Sequence, residues 1–281
     1  MGRLSATFTM GALEIAALSD GAPDQALDTF FDSADPAEWT AALGITDTTD
    51  PVPFNYGSFL IRGDGKTTLI DTGFGALARQ QGFPGGGELL DRLGELGVGR
   101  DEVDRVVHTH LHPDHCAWNT DDEAGEITFP NATLYAARAE LDHWLQAELD
   151  GDFVAETARA NTRPYLDAGR LELTDGEYAV SEALTMVPTP GHTPGHCSML
   201  LTSQGEHLVI TGDAADHPAH LERHDWIPGF DLDPEESTRS RQKLAALAVE
   251  KGALVTGGHF PILTLGRLRR VESGYRWESA Q

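Results

Sequence analysis

Apolar and polar positions alternate along this chain in short runs, and the runs come in pairs. The segment SFLIRGDGKTTLIDTG, residues 58–73, reads as two alternating strands joined at Gly63-Asp64-Gly65, a hairpin. CSMLLTSQGEHLVITGDA, residues 197–214, reads the same way and turns at Gln204-Gly205. Helical spacing appears at Glu88–Leu96, Arg138–Leu149 and Pro234–Glu250. The last of these carries its own start signal. Asp233 is placed to accept backbone N–H groups, Pro234 suits the first helical position, and Glu235 and Glu236 favour the positive end of the helix dipole. Asp35-Pro36 opens a shorter helix by the same device. Four further runs, RVVHTH, LTMVPTPGH, LVITGD and ALVTGGH, are apolar strands that each deliver a polar residue at their end. That pattern predicts a layered α/β fold with its site on the strand ends. No internal repeat or linker interrupts it, so a single domain over residues 1–281 is expected.

Composition narrows the setting. Two cysteines among 281 residues are too few for a disulfide framework and read as thiols of a reducing compartment. The first twenty residues are broken by Glu14 and Asp20 and do not resemble a secretory leader, and no window approaches the roughly 20 apolar residues that span a bilayer. A cytoplasmic protein is expected. The formal net charge is −25, from 45 acidic and 20 basic residues, with lysine only at 66, 243 and 251. Such a surface repels nucleic acid and anionic membranes, so neither is expected as a partner. The acids are dispersed, as on a solvated surface, and form no acidic tail.

Candidate chemistry concentrates in VVHTHLHPDHCAWN, Val106–Asn119, which holds four histidines and an aspartate within eight residues. His110 and His112 follow a strand at a spacing that projects both to one side, Pro113 breaks the strand, and Asp114 and His115 turn back toward the same point. Imidazole suits zinc and related ions, and carboxylate adds charge. His192 in TPGHTPGH, Asp213 in ITGDA and His259 in TGGHF each follow an apolar strand and have glycine beside them. Seven such donors predict a metal centre. His108 is expected to face the strand packing, and Asp71 to support the metal loops by hydrogen bonds. Cys116 and Cys197 read as small buried residues. His196 reads equally as a partner to a metal-binding residue or as the end of its loop.

The motif His110-x-His112-x-Asp114-His115, followed by His192, Asp213 and His259, resembles the metallo-β-lactamase superfamily. The resemblance runs from Asp71-Thr72-Gly73 to His259. It implies a four-layer αββα sandwich of the α/β class holding two divalent metal ions, with zinc as the first expectation. His110, His112 and His192 would bind one ion, Asp114, His115 and His259 the other, and Asp213 would bridge. Asp114 would also hold the nucleophilic water and carry its proton. The di-iron flavoprotein branch of the superfamily has glutamate where this chain has His112, which argues against that redox role.

The flanking segments HCAWNT, TFPNATLYAARAELDHW and GDAADHP are similar to the branch that holds N-acyl homoserine lactonases and methyl-parathion hydrolases. That branch implies a neutral, partly apolar, ester-like small molecule as substrate and a homodimer. Phe54, Tyr56, Trp118, Trp226, Phe230 and Phe260 are candidates to wall its pocket, with about half of them ordinary core residues by the usual burial of aromatics. One departure stands out. Lactonases of this branch carry a tyrosine three residues after the bridging aspartate, where this chain has Asp216 followed by His217. An ionised carboxyl cannot donate a hydrogen bond, so either the second metal alone stabilises the developing oxyanion or His217 is its donor. Two alternatives remain at this stage. One is a thioesterase of the hydroxyacylglutathione hydrolase type, with Arg267, Arg269 and Arg270 as candidates for its anionic substrate. The other is a mononuclear iron redox enzyme on the same fold.

Overall fold

A computed structural model describes residues 5–26, 33–47, 49–83, 85–121, 126–262 and 264–280. Fourteen strands build two seven-stranded sheets. The first sheet contains β1 (Ser5–Met10), β2 (Leu13–Ser19), β3 (Gly57–Arg62), β4 (Thr68–Ile70), β5 (Arg105–Val107), β6 (Thr133–Ala137) and β7 (Leu171–Thr174), in that spatial order. The second contains β8 (Tyr178–Ala179), β9 (Leu184–Pro188), β10 (Cys197–Ser203), β11 (Glu206–Ile210), β12 (Leu254–Thr256), β13 (Gly266–Val271) and β14 (Gly274–Ser279), again in order. Each sheet begins as an antiparallel meander. The first then becomes parallel from β4 to β7, and the second is parallel only between β11 and β12.

Both sheets are covered on both faces, which explains why their strands read as nearly continuous apolar runs. Phe59 and Ile61 of β3 point into the space between the sheets, where they meet Met199, Leu201 and Ile210. Leu60, between them, faces outward with Leu69, Val106 and Leu134, under Leu89 and Leu93 of a helix spanning Leu89–Glu95. On the far side, Val209 and Val255 pack against Leu244, Ala245 and Ala248 of a long helix, Pro234–Lys251. The order helix, sheet, sheet, helix is therefore the αββα sandwich that the sequence leads one to expect.

The two sequence hairpins form as read. β3 pairs with β4, and β10 turns into β11 through Gln204 and Gly205, both with left-handed backbone as a tight hairpin turn requires. Asp233 accepts the N–H of Glu236, and Asp35 accepts that of Ala37 at the start of the helix Pro36–Leu43. Arg138–Leu149 is less regular than its spacing suggests: the helix ends at Trp144, and a short 3-10 turn covers Ala147–Leu149. Among the described residues no helix is long and apolar enough to cross a membrane.

Candidate metal centre

The site lies where strands end. β4 and β5 run parallel in one sheet, β11 and β12 in the other, and loops leave all four at their C-terminal ends. This is the usual place for a site in an open α/β sheet. β5 stops at Val107, so strand alternation does not reach His110 and His112. They lie in the loop beyond it, and His112 precedes a one-turn helix, Pro113–Cys116, that presents Asp114 and His115. Asp213 sits in a 3-10 turn after β11, His192 in the loop after β9 and His259 in the loop after β12.

These loops bring the seven sequence candidates together. His110, His112, His192 and Asp213 offer four donor atoms within 4.8 Å of one another, and Asp114, His115 and His259 offer three more at the same spacing. Asp213 touches both groups. Its Oδ2 lies 3.3 Å from His192 Nε2 and 3.2 Å from His259 Nε2, and its Oδ1 lies 3.2 Å from His115 Nε2. His112 Nδ1 and His192 Nε2 are 2.9 Å apart, and the Nε2 atoms of His115 and His259 are 3.3 Å apart.

Outer partners fix which nitrogen faces inward. His259 donates its Nδ1–H to the Asn55 carbonyl oxygen at 2.8 Å, leaving the Nε2 lone pair for the centre. His115 Nδ1 meets Asp71 Oδ2 at 2.9 Å, and His192 Nδ1 meets Asp231 Oδ1 at 3.1 Å. This is how a protein orients metal-binding imidazoles. The buried His110 Nε2 and Asp213 Oδ1 have no hydrogen-bond partner. Inward lone pairs, a central carboxylate and orphaned buried donors fit two divalent cations.

Charge follows the same logic. Burial works to raise the Asp213 pKa, but His259, His115, His110 and His192 override it and hold the carboxyl well below its ordinary value. His110 and His112 are kept well below theirs by burial and by neighbouring imidazoles, so they stay neutral and able to bind a cation. His259 is pushed up to about 9, because Asp213 outweighs the opposing effect of burial, so a cation that binds its Nε2 must displace a proton. The Asp216 carboxyl is pushed up to about 7, first by burial and then by Asp213.

Asp71 performs the supporting role expected of it. It accepts the Thr109 N–H and hydroxyl at 2.8 Å each, besides meeting His115 and His108. His108 lies behind the site, between Asp71 and Asn119. His196 accepts the Asp213 N–H on Nε2 at 2.9 Å and so helps position the carboxylate that touches both donor groups. Both thiols are buried and uncharged. Burial, with nearby carboxylates, raises Cys116 well above its usual range and pushes Cys197 up to about 12.

A cavity of about 470 Å³ opens over the centre, a size suited to a small molecule. Phe54, Tyr56 and Phe230 line it, as the sequence suggests. Trp118, Trp226 and Phe260 do not. Trp118 is core beneath the first sheet and donates its indole N–H to Asp20 at 2.8 Å. Trp226 packs on Trp39, and Phe260 belongs to the core under the Pro234–Lys251 helix. His217 also requires correction. It lines a separate cavity with Glu38, Arg223, Trp226 and Trp277, and its Nδ1 accepts the Ala219 N–H at 3.2 Å. It starts a 3-10 turn, Pro218–Leu221, and does not face the centre; Asp216 does.

The sequence reading misses Phe74, Phe83 and Phe153, which extend the cavity wall in a ladder of rings. Phe54 stacks on His259 at 4.2 Å, Tyr56 stands 6.1 Å from Phe54, Phe74 5.4 Å from Tyr56, Phe83 4.9 Å from Phe74 and Phe153 6.3 Å from Phe83. It also misses Glu140 and Asp231, buried acids that hold the metal loops.

Residues 52–259, a span that includes all seven donors, match the family model described as metallo-beta-lactamase superfamily. The chain belongs to that superfamily. As a metallo-beta-lactamase superfamily member it carries the fold and donor set of a metal-dependent hydrolase. It is 32% identical over 238 residues to the N-acyl homoserine lactonase AttM of Rhizobium radiobacter, covering 75% of this chain and 82% of that one. Identity to the N-acyl homoserine lactonase of Bacillus thuringiensis is 25% over 217 residues, 72% and 79% of the two chains. Two solved structures superpose over nearly the whole length. One is AidC, a dizinc quorum-quenching lactonase in complex with a product, with a TM-score of 0.84 at 22% identity over 99% of this chain and 98% of that one. The other is the hydrolase AbOPH, with a TM-score of 0.84 at 24% identity over 100% and 99%. At these identities the superpositions speak for the metallo-beta-lactamase fold.

Proposed function

We propose that this protein is a dinuclear-metal hydrolase that opens N-acyl homoserine lactones or closely related esters. It would use two zinc ions and act as a homodimer in the cytoplasm. The observation that carries this reading is a set of seven convergent donors, of which His112, Asp114, His192, Asp213 and His259 line a cavity with an aromatic wall. None of the described residues lining that cavity is lysine or arginine.

Two bound divalent ions would supply a water of lowered pKa and a Lewis acid for the carbonyl oxygen. The protein's own groups do the rest. His110, His112 and His192 would hold one ion, Asp114, His115 and His259 the other, and Asp213 lies within reach of both. The Asp114 side chain is 21% exposed, the most open of the metal-site carboxylates, and it borders the cavity. It accepts a proton from the nucleophile and passes it to the departing alkoxide of the lactone ring. The rings of Phe54, Tyr56, Phe74 and Phe83 take the acyl chain out of water. No serine or cysteine nucleophile is required.

A wall that carries carboxylates and no lysine or arginine among the described residues suits a neutral acyl lactone better than the anionic thioester of a hydroxyacylglutathione hydrolase. Arg267, Arg269 and Arg270 contact Gly252, Glu278 and Tyr275 and do not line the cavity. The test is a panel of acyl homoserine lactones, aryl esters, thioesters, phosphotriesters and β-lactams. The lactones should give the highest kcat/KM. A higher value for S-acylglutathione would overturn the assignment.

A further inference from the structure

Asp216 occupies the position where lactonases of this branch are expected to carry tyrosine, and its surroundings are unusual for a carboxylate. Its residue is 5% exposed and lines the cavity. Its Oδ2 is buried and accepts no hydrogen bond. Nδ1 of His220 lies 3.5 Å away. That nitrogen has no proton to give. His220 donates its Nε2–H to the Trp226 carbonyl oxygen at 2.8 Å, and its Nδ1 faces the Asp216 N–H at 3.4 Å as an acceptor. Arg241, buried nearby, is engaged elsewhere: it donates to the carbonyl oxygens of Ala214, His224 and Trp226, and its Nη2 lies 3.6 Å from Asp231. A buried carboxylate oxygen without a donor is costly unless a cation lies beside it.

The cation site is adjacent. A carboxylate oxygen of Asp216 lies within 4.8 Å of donor atoms on both Asp213 and His259. We propose that Asp216 is an additional ligand to the ion held by Asp114, His115 and His259. The two ions then sit in unlike surroundings. One has three imidazoles and the shared Asp213, a set that suits zinc. The other has two imidazoles and three carboxylates, an oxygen-rich set that favours harder ions such as manganese(II). Asp216 makes one metal position more anionic and selects the ion that fills it.

The inference rests on the dinuclear reading above, and the experiment separates the two. Metal-free wild type, Asp216→Asn and Asp216→Ala are titrated calorimetrically with manganese(II) and with zinc(II), after circular dichroism has shown each to be folded. Wild type should bind two equivalents. Asn and Ala should each bind one as tightly as wild type, and the second about tenfold or more weakly, with the larger loss for manganese. In the cobalt(II) form, losing a ligand from one ion should strengthen the visible absorption as its coordination number falls. Unchanged affinities in both variants, superimposable cobalt spectra, or equal weakening of both equivalents would overturn the assignment of Asp216. Failure of wild type to bind two ions would instead sink the dinuclear reading itself.

Discussion

The Oε2 atom of Glu140 accepts the backbone N–H of Gly195 at 3.0 Å, and a Cβ on Gly195 would lie 2.2 Å from the Glu140 backbone nitrogen. The other carboxylate oxygen accepts the N–H of Leu111 at 3.0 Å and the indole N–H of Trp144 at 2.7 Å. One fully buried acid therefore ties the loop carrying His110 and His112 to the loop carrying His192. Glu140→Gln puts an amide donor against at least one of these donors. It should lower unfolding free energy by about 2–3 kcal/mol, the cost of leaving such a group unpaired beside lost charge-assisted bonds. Metal affinity at the His110–His112–His192 position should fall roughly ten- to a hundredfold. Chemical denaturation and metal titration measure the two effects, and wild-type values in both would show that the tie is dispensable.

His217 should matter to stability and little to turnover. Its Nδ1 must be unprotonated to accept the Ala219 N–H, and burial pushes its pKa from the ordinary imidazole range down to about 4. A group whose folded pKa is depressed contributes stability above its unfolded pKa and loses it as pH falls through the folded one. The cap should therefore weaken between about pH 6.5 and pH 4. His217→Ala should cost about 1 kcal/mol at neutral pH, as loss of a cap does, and should flatten this part of the pH–stability curve. Turnover should stay within about twofold of wild type, less than 0.5 kcal/mol in the barrier. Denaturation across pH with parallel lactone assays checks both; a tenfold loss of kcat with intact metal would restore His217 to the reaction.

Metal should hold the fold together as well as the chemistry. The donors come from the Val106–Asn119 segment and from three later loops, so bound ions cross-link distant parts of the chain. With free ion at 1,000 times its dissociation constant, each site adds about 4 kcal/mol. Removing both ions should lower Tm by about 10 °C or more, at the roughly 2–4 °C per kcal/mol typical of larger domains. Differential scanning calorimetry before and after verified chelation gives the answer, and coincident curves would contradict it.

The ring ladder should set acyl-chain preference. Phe83 and Phe153, at its outer end, are 44% and 37% exposed, more than their size favours unless a ligand covers them. Each methylene buried there is worth about 0.8 kcal/mol, roughly fourfold in kcat/KM. Phe83→Ala and Phe153→Ala should each lower kcat/KM for a decanoyl lactone roughly five- to twentyfold while leaving a butanoyl lactone nearly unchanged. Equal losses for both chain lengths would place the effect elsewhere.

What is legible in the sequence and what is not have physical reasons. The hairpins and the donor loops are readable because apolar runs and turn residues are local signals, and each donor closes such a run. The helix Phe153–Asp167 is not readable in the same way. Its buried face is Ala155, Thr157, Ala158, Asn161, Thr162 and Tyr165, too polar for a clear stripe, and Pro164 stands near its end. Glu140 and Asp231 look like surface acids until strand ends far apart in the chain meet around them. The aromatic residues divide for a similar reason. Phe54 and Trp118 are alike in composition terms, and only the tertiary fold decides that one stacks on His259 while the other reaches Asp20. His217 follows the same lesson: adjacent to Asp216 in sequence, it faces the other way because it caps a turn.

The most direct test of a dinuclear lactonase is ring opening followed against metal content. Metal-free protein is reconstituted stepwise with zinc(II), and hydrolysis of hexanoyl homoserine lactone is recorded beside the number of ions bound per chain. Activity should be absent without metal, rise as ions are bound and reach its plateau at two per chain. Asp213→Ala, which removes the carboxylate between the two donor groups, should lose metal and turnover together. A wild-type chain that holds two ions and opens no acyl lactone, or an Asp213→Ala variant that keeps both ions and full turnover, would contradict the account.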